Sequence, residues 1–106
     1  MPLTRDYKET INKRTKNDPE FAKALFDEAI TLFINGEPEV ARLILRDLVN
    51  STVGFEVLAT ESNKPSKSIQ RMLSAKGNPT MDSLTTIFKV LRQKLNVEIK
   101  VHTVSV

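Results

Sequence analysis

The sequence predicts an all-α fold of five helices followed by a short C-terminal β-strand. Three observations lead there. Apolar residues recur three and four apart in stretches punctuated by Asn35-Gly36, Gly54, Asn63-Lys64-Pro65 and Gly77-Asn78-Pro79, the pattern of helices that each bury one stripe. Residues 55 to 75 divide into two short helical stretches around a tight turn. From Asn96 onward the period changes from helical to alternating, as a strand requires.

At 106 residues the chain makes one domain. Residues 1–17 carry many charges and little periodicity, and read as an arm with Leu3, Tyr7 and Ile11 as possible anchors. The N-terminal helices occupy residues 18–53. Asp18 suits an N-cap and Pro19 the first helical position. Phe21, Leu25, Ala29, Leu32 and Phe33 form the apolar stripe, and Gly36 the left-handed end. A second helix starts near Pro38 and carries Val40, Leu43, Ile44 and Leu48. Residues 54–95 form the core of the domain. In its last helix Thr80 is the N-cap, Asp82 adds a favourable negative charge to the first turn, and Leu84, Ile87, Phe88, Leu91 and Leu95 face inward. Residues 96–106 are the strand or tail: Val97, Ile99, Val101 and Thr103 alternate with Glu98, Lys100, His102 and Val104. A lone strand needs a partner from a second subunit or another protein.

The pair of short helices is the most informative feature. Leu58 and the small Ala59 face inward on the first, Asn63 tolerates the left-handed conformation the turn requires, and Pro65 fits the first turn of the next helix. That helix, taken as about Pro65 to Ser74, packs Ile69, Met72 and Leu73 inward and turns Ser66, Lys67, Gln70, Arg71 and Ser74 outward. This is the build of a helix-turn-helix, whose second helix enters the DNA major groove. Ser66, Lys67, Gln70 and Arg71 are its candidate base contacts, because Arg and Lys donate to guanine and Gln pairs with adenine. Lys64, Lys76, the amides of Gly77 and Asn78, and Thr80 are the candidate contacts to the DNA backbone.

Charge follows the same division. Residues 1–53 sum to −1, residues 54–62 to −2, residues 63–94 to +6, and residues 95–106 to zero. The positive block begins at the turn and runs through the proposed reading helix, which suits phosphate and its condensed counterions.

Other chemistries find little support. There is no cysteine, so no disulfide, thiolate metal site or cysteine nucleophile. His102 is the single histidine and lies in the tail. The three glycines are isolated and form no phosphate-cradling loop. No enzyme activity and no cofactor are expected. The polar, mixed-charge Met1 to Lys16 is unlike a secretory signal, and no apolar run reaches the length of a membrane span. A cytoplasmic location is the expectation.

Two regions carry a family resemblance. Leu45-Arg46-Asp47-Leu48-Val49-Asn50 with Gly54-Phe55-Glu56-Val57-Leu58-Ala59, and Arg71-Met72-Leu73-Ser74-Ala75-Lys76-Gly77-Asn78-Pro79-Thr80-Met81, resemble the XRE-type regulators classed as addiction-module antidotes, the HigA-like antitoxins. The resemblance runs from about Asp18 to Val101, and the Gly-Asn-Pro-Thr loop is its most specific part. It implies a lambda-repressor-like helix-turn-helix domain acting as a homodimer on the operator of its own operon. It also implies a small toxin partner of the RelE or HigB type, a ribosome-dependent ribonuclease. The residues matching the family's reading positions are Ser66, Lys67, Gln70 and Arg71. This chain departs from the pattern at Asn63, where the family often has Gly, at Lys64, where it has an apolar residue, and at Pro65, where it has Ser. Lys64 exchanges an apolar anchor for a phosphate contact. The alternatives are a stand-alone XRE-type regulator without a toxin, and a protein-interaction module on the same scaffold.

Overall fold

The computed structural model describes residues 18–106; the expected N-terminal arm and its anchors lie outside the described residues. Five helices follow in order: α1 Pro19–Ile34, α2 Pro38–Ser51, α3 Phe55–Ser62, α4 Ser66–Met72 and α5 Met81–Leu95. The fold is all-α. No described helix is long and apolar enough to cross a membrane.

The helix starts follow local chemistry. The Asp18 carboxylate accepts from the amides of Glu20 and Phe21 at 3.1 and 3.2 Å, with Pro19 opening α1. Thr80 accepts from the Ser83 amide at 3.1 Å to start α5. Three helices end in one way. After α1, α3 and α5 the chain turns through a left-handed residue, Gly36 (φ +88°), Asn63 (φ +56°) and Asn96 (φ +55°). In each case the next amide reaches back five residues: Glu37 to Leu32, Lys64 to Ala59 and Val97 to Arg92, at 2.8, 3.1 and 3.0 Å. This is the Schellman closure, which satisfies carbonyls left over at a helix end.

The three-residue link at Asn35–Glu37 sets α2 back against α1. One core runs through every helix. Ala22, Phe26, Ala29 and Ile30 come from α1, Leu45, Leu48 and Val49 from α2, and Phe55 and Leu58 from α3. Ile69 of α4, Leu73 just beyond it, and Leu84, Ile87, Val90 and Leu91 of α5 complete it. The Phe88 ring sits between Phe26 and Phe33, with centroids 6.0 and 5.9 Å away in tilted and edge-on arrangements that favour aromatic pairs. Ser51, a polar residue at the buried end of α2, donates its hydroxyl to the carbonyls of Asp47 and Leu48.

Three expectations are corrected. The buried faces of α1 and α2 are rotated by about one residue from the stripes read in the sequence. Ala22, Phe26 and Ile30 lie deeper than Phe21, Leu25 and Leu32, and Ala41 and Leu45 are buried where Val40 is 48% exposed. Fully covered alanines, Ala22 and Ala41, share the buried faces with the large residues beside them. Second, α4 begins at Ser66, not Pro65. Pro65 precedes it with extended backbone (φ −62°, ψ 140°), and the helix stops at Met72, so Ser74 lies past its end.

Third, the C-terminal β-strand is absent among the described residues: Val97 to Val106 has no regular secondary structure. The alternation is expressed only at the start of the segment, and from Val101 onward every residue is exposed. Val97 and Ile99 are partly buried against the core while Glu98 and Lys100 are exposed. With no second strand among the described residues to pair its amides and carbonyls, the segment lays its apolar side beside α1, where Val97 and Ile99 share a groove with Phe26 and Ile30.

The revised α2 face predicts unequal costs. Leu45→Ala should destabilise by about 2–5 kcal/mol, as truncation of a fully buried leucine does. Val40→Ala should stay within about 0.5 kcal/mol, as surface substitutions usually do. Urea denaturation measures both, and equal losses would restore the face read in the sequence.

Candidate nucleic-acid interface

The site is built on α4 and the two connections that flank it. Entry to α4 is set by Asn63. Its left-handed backbone reverses the chain directly after α3, with Asn63 N–H donating to Thr60 O at 3.3 Å and Lys64 N–H to Ala59 O at 3.1 Å. For an ordinary L-residue this conformation costs about 1–2 kcal/mol, and Asn and Gly are the residues that tolerate it. Ile69 and Leu73 are fully buried and Met72 packs on the same side. They fix the rotation of the helix, and Lys67, Gln70 and Arg71 stand exposed on the opposite side.

That face is partly organised. Gln70 Nε2 donates to Ser66 Oγ at 3.0 Å along the helix. The amide keeps a second N–H and its carbonyl, the pair of groups that adenine recognition uses. Ser66 is half-buried and engaged by Gln70, so its hydroxyl supports a neighbour as well as facing outward. Ser74, expected on the same face, instead donates from Oγ to Arg71 O at 2.7 Å beyond the helix end. Lys64 is half-buried in the turn, where it lines a shallow groove with Asn63, Pro65, Ser66 and Glu56. Glu56 places a carboxylate beside that end of the site.

Two ion pairs join described residues, Lys23–Glu20 at 3.8 Å and Lys94–Glu61 at 3.3 Å. The second ties α5 to α3. Neither involves Lys64, Lys67, Arg71 or Lys76, whose charges are therefore not neutralised by a carboxylate among the described residues. No three described His, Asp or Glu side chains converge as a metal site would need.

The loop after α4 folds back on the helix. A Cβ built on Gly77 would stand 2.2 Å from Met72 O and 2.6 Å from Arg71 O, so only glycine lets the backbone pass there. The Gly77 amide donates to Ser74 O at 3.0 Å. It is committed within the loop and is not the available donor expected from sequence. Thr80 is likewise engaged, accepting from the Ser83 amide and donating to Ser83 Oγ at 3.0 Å. Lys76 and Asn78 remain exposed, and no hydrogen bond to a described residue occupies the Asn78 amide.

One residue of this region escaped the sequence reading. Arg42 of α2 donates from Nε to Ser74 O at 3.0 Å and from Nη2 to Ala75 O at 2.8 Å. It lies outside the basic block that begins at residue 63, and nothing local marks it; only the tertiary fold brings it to the end of α4.

The close approach at Gly77 predicts that Gly77→Ala destabilises by about 1–3 kcal/mol, the usual cost of overpacking, although the residue is a loop glycine. Gly36→Ala, with nothing within 4 Å of its Cβ, meets only the penalty of its left-handed backbone. Thermal unfolding with a retained helical spectrum separates them. A neutral Gly77→Ala would mean that the loop does not press on α4.

No family model, no curated protein and no solved structure matches this chain, so the functional reading rests on the residues and their geometry.

Proposed function

We propose that this chain is a sequence-specific DNA-binding regulator of lambda-repressor-like helix-turn-helix build, acting as a homodimer on the operator of its own operon. The observation that carries the proposal is the exposed face of α4, where Lys67, Gln70 and Arg71 stand together without carboxylate partners among the described residues while Ile69 and Leu73 lock the helix beneath them. Lys, Gln and Arg are side chains that can discriminate base edges, and a locked helix presents them in one register. The net charge of +6 over residues 63–94 supplies the sequence-independent attraction to phosphate. Lys64, Lys76 and the Asn78 amide are the backbone contacts in this reading. A dimer would place two copies of α4 about 34 Å apart, one turn of the duplex.

A protein partner is the second part of the proposal. Helices α1 and α2 and the link between them expose Ile34 and Val40 together with Asp27, Glu28, Glu37 and Glu39, a mixed acidic and apolar set unlike the basic one on α4. It suits a small basic protein. By the family resemblance that partner is a RelE- or HigB-like toxin, and the chain is its antitoxin.

Gel-shift titration on the DNA upstream of the gene, beside a scrambled duplex and at two salt concentrations, tests the first part. The upstream DNA should bind preferentially, and Lys67→Ala/Arg71→Ala should abolish the preference. If Arg71 reads a base, Arg71→Ala alone should cost about 1–3 kcal/mol on the cognate site and relax specificity at one base pair, whereas Lys76→Ala should weaken all sequences alike and reduce the salt slope by about one. Equal binding to upstream and scrambled DNA would reject sequence-specific reading and leave the protein-interaction module.

A further inference from the structure

Among the hydrogen bonds that join described residues, those of Arg42 are the ones that reach far along the chain: its two acceptors lie 32 and 33 residues away. They fall on consecutive carbonyls just past the end of α4, where the chain has left the helix and carbonyls lack helical donors. The Ser74 carbonyl takes two donors at once, Arg42 Nε at 3.0 Å and the Gly77 amide at 3.0 Å. The same residue's amide donates to Arg71 O at 3.2 Å. Ser74 is therefore a junction that joins α2, the end of α4 and the following loop. Ala75, Lys76 and Asn78 around it are exposed, so packing contributes little to their position. A guanidinium is suited to this task because its planar fork addresses two acceptors in fixed geometry, which an ammonium does not.

We propose that Arg42 is the positioning residue for the backbone-contacting loop: by holding Ser74 and Ala75 it places Lys76 and the Asn78 amide against a DNA phosphate in register with the side chains of α4. This rests on the DNA-binding function above. Arg42 does not touch the base pairs in this scheme. Its effect passes through the loop, so it alters binding to all duplexes rather than the choice among them.

The test uses the full chain as wild type, Arg42→Ala, Arg42→Lys, Lys76→Ala and Arg42→Ala/Lys76→Ala. In DNA-free protein, NMR hydrogen exchange reads the Gly77 amide, with amides in the middle of α5 as the control for intact folding. Fluorescence anisotropy then reads affinity for the upstream DNA and for a random-sequence duplex. Both Arg42 variants should exchange Gly77 about tenfold faster with the α5 amides unchanged, and should lose about tenfold in affinity on both duplexes. Arg42→Lys keeps the charge and loses the fork, and serves also if Arg42→Ala folds poorly. In the Lys76→Ala background the loss caused by Arg42→Ala should shrink markedly, because the two side chains act through one contact.

Wild-type affinity in Arg42→Lys would assign the effect to charge alone and overturn the proposal. So would additive losses in the double variant, or unchanged binding despite a loosened loop. If wild type binds neither duplex, the DNA-binding function fails and the role of Arg42 in it fails too. The Gly77 exchange then still separates an ordered loop without DNA from a loop that Arg42 never held.

Discussion

The structure turns on a helix too short to hold itself. α4 has seven residues, and an isolated helix of that length does not persist in water, since nucleation is unfavourable and few bonds follow it. Its stability comes from outside. Ile69 and Leu73, one helical turn apart, are both fully buried in the common core, and complete burial of each such side chain contributes about 1.5–3 kcal/mol. The same contacts that keep α4 helical also fix its rotation. Lys67, Gln70 and Arg71 are exposed because Ile69 and Leu73 cannot be.

What remains is to set the position of α4 along its own axis, and the backbone does this at both ends. At the front, Asn63 turns the chain through left-handed space so that only three residues separate α3 from α4. At the back, Gly77 brings the loop to within a side chain's width of the last helical carbonyls. Asn63 is replaceable in principle by Gly, because its requirement is conformational. The requirement at Gly77 is steric, and no larger residue meets it without moving the loop. Asn96 uses the first kind of device again at the end of α5, where the reversal returns Val97 and Ile99 to the core.

Much of this was legible in the sequence. The helix count, the caps at Asp18 and Thr80, the turn at Asn63 and the inward set Ile69, Met72 and Leu73 all follow from local chemistry. The faces of α1 and α2 did not, for a physical reason. Phe21-Ala22, Leu25-Phe26, Val40-Ala41 and Ile44-Leu45 place apolar residues side by side, so the stripe is wide, and its centre depends on which neighbour packs against it. The larger residue attracts attention, yet Ala22 and Ala41 are the more deeply buried, because a small side chain at the edge of a wide stripe is more easily covered whole than a large one. The tail misled differently. Its alternation marks the core-facing residues only as far as Ile99, since Val101 and Thr103 are exposed, and a period of two does not by itself supply a partner strand. At the candidate site, Lys67, Gln70, Arg71 and Lys76 stand exposed as expected. The Gly77 amide and the Thr80 hydroxyl are bound within the chain, and Arg42 could be found only from the fold.

These supports divide the candidate interface into two mechanically distinct parts. Lys67, Gln70 and Arg71 inherit their geometry from hydrophobic burial beneath α4, which is non-directional and tolerant of small changes in packing. Lys76 and Asn78 inherit theirs from a hydrogen-bonded junction at Ser74 and a backbone contact at Gly77, both directional and short-ranged. In the proposed function the first set carries sequence discrimination and the second carries attachment to phosphate. A disturbance of the core beneath α4 would therefore be expressed first as lost specificity, and a disturbance of the junction as lost affinity. In that proposed function, separate supports would let one chain vary the sequence it reads without releasing its hold on the duplex, since substitutions on the outer face of α4 leave Ile69, Leu73, Ser74 and Gly77 in place.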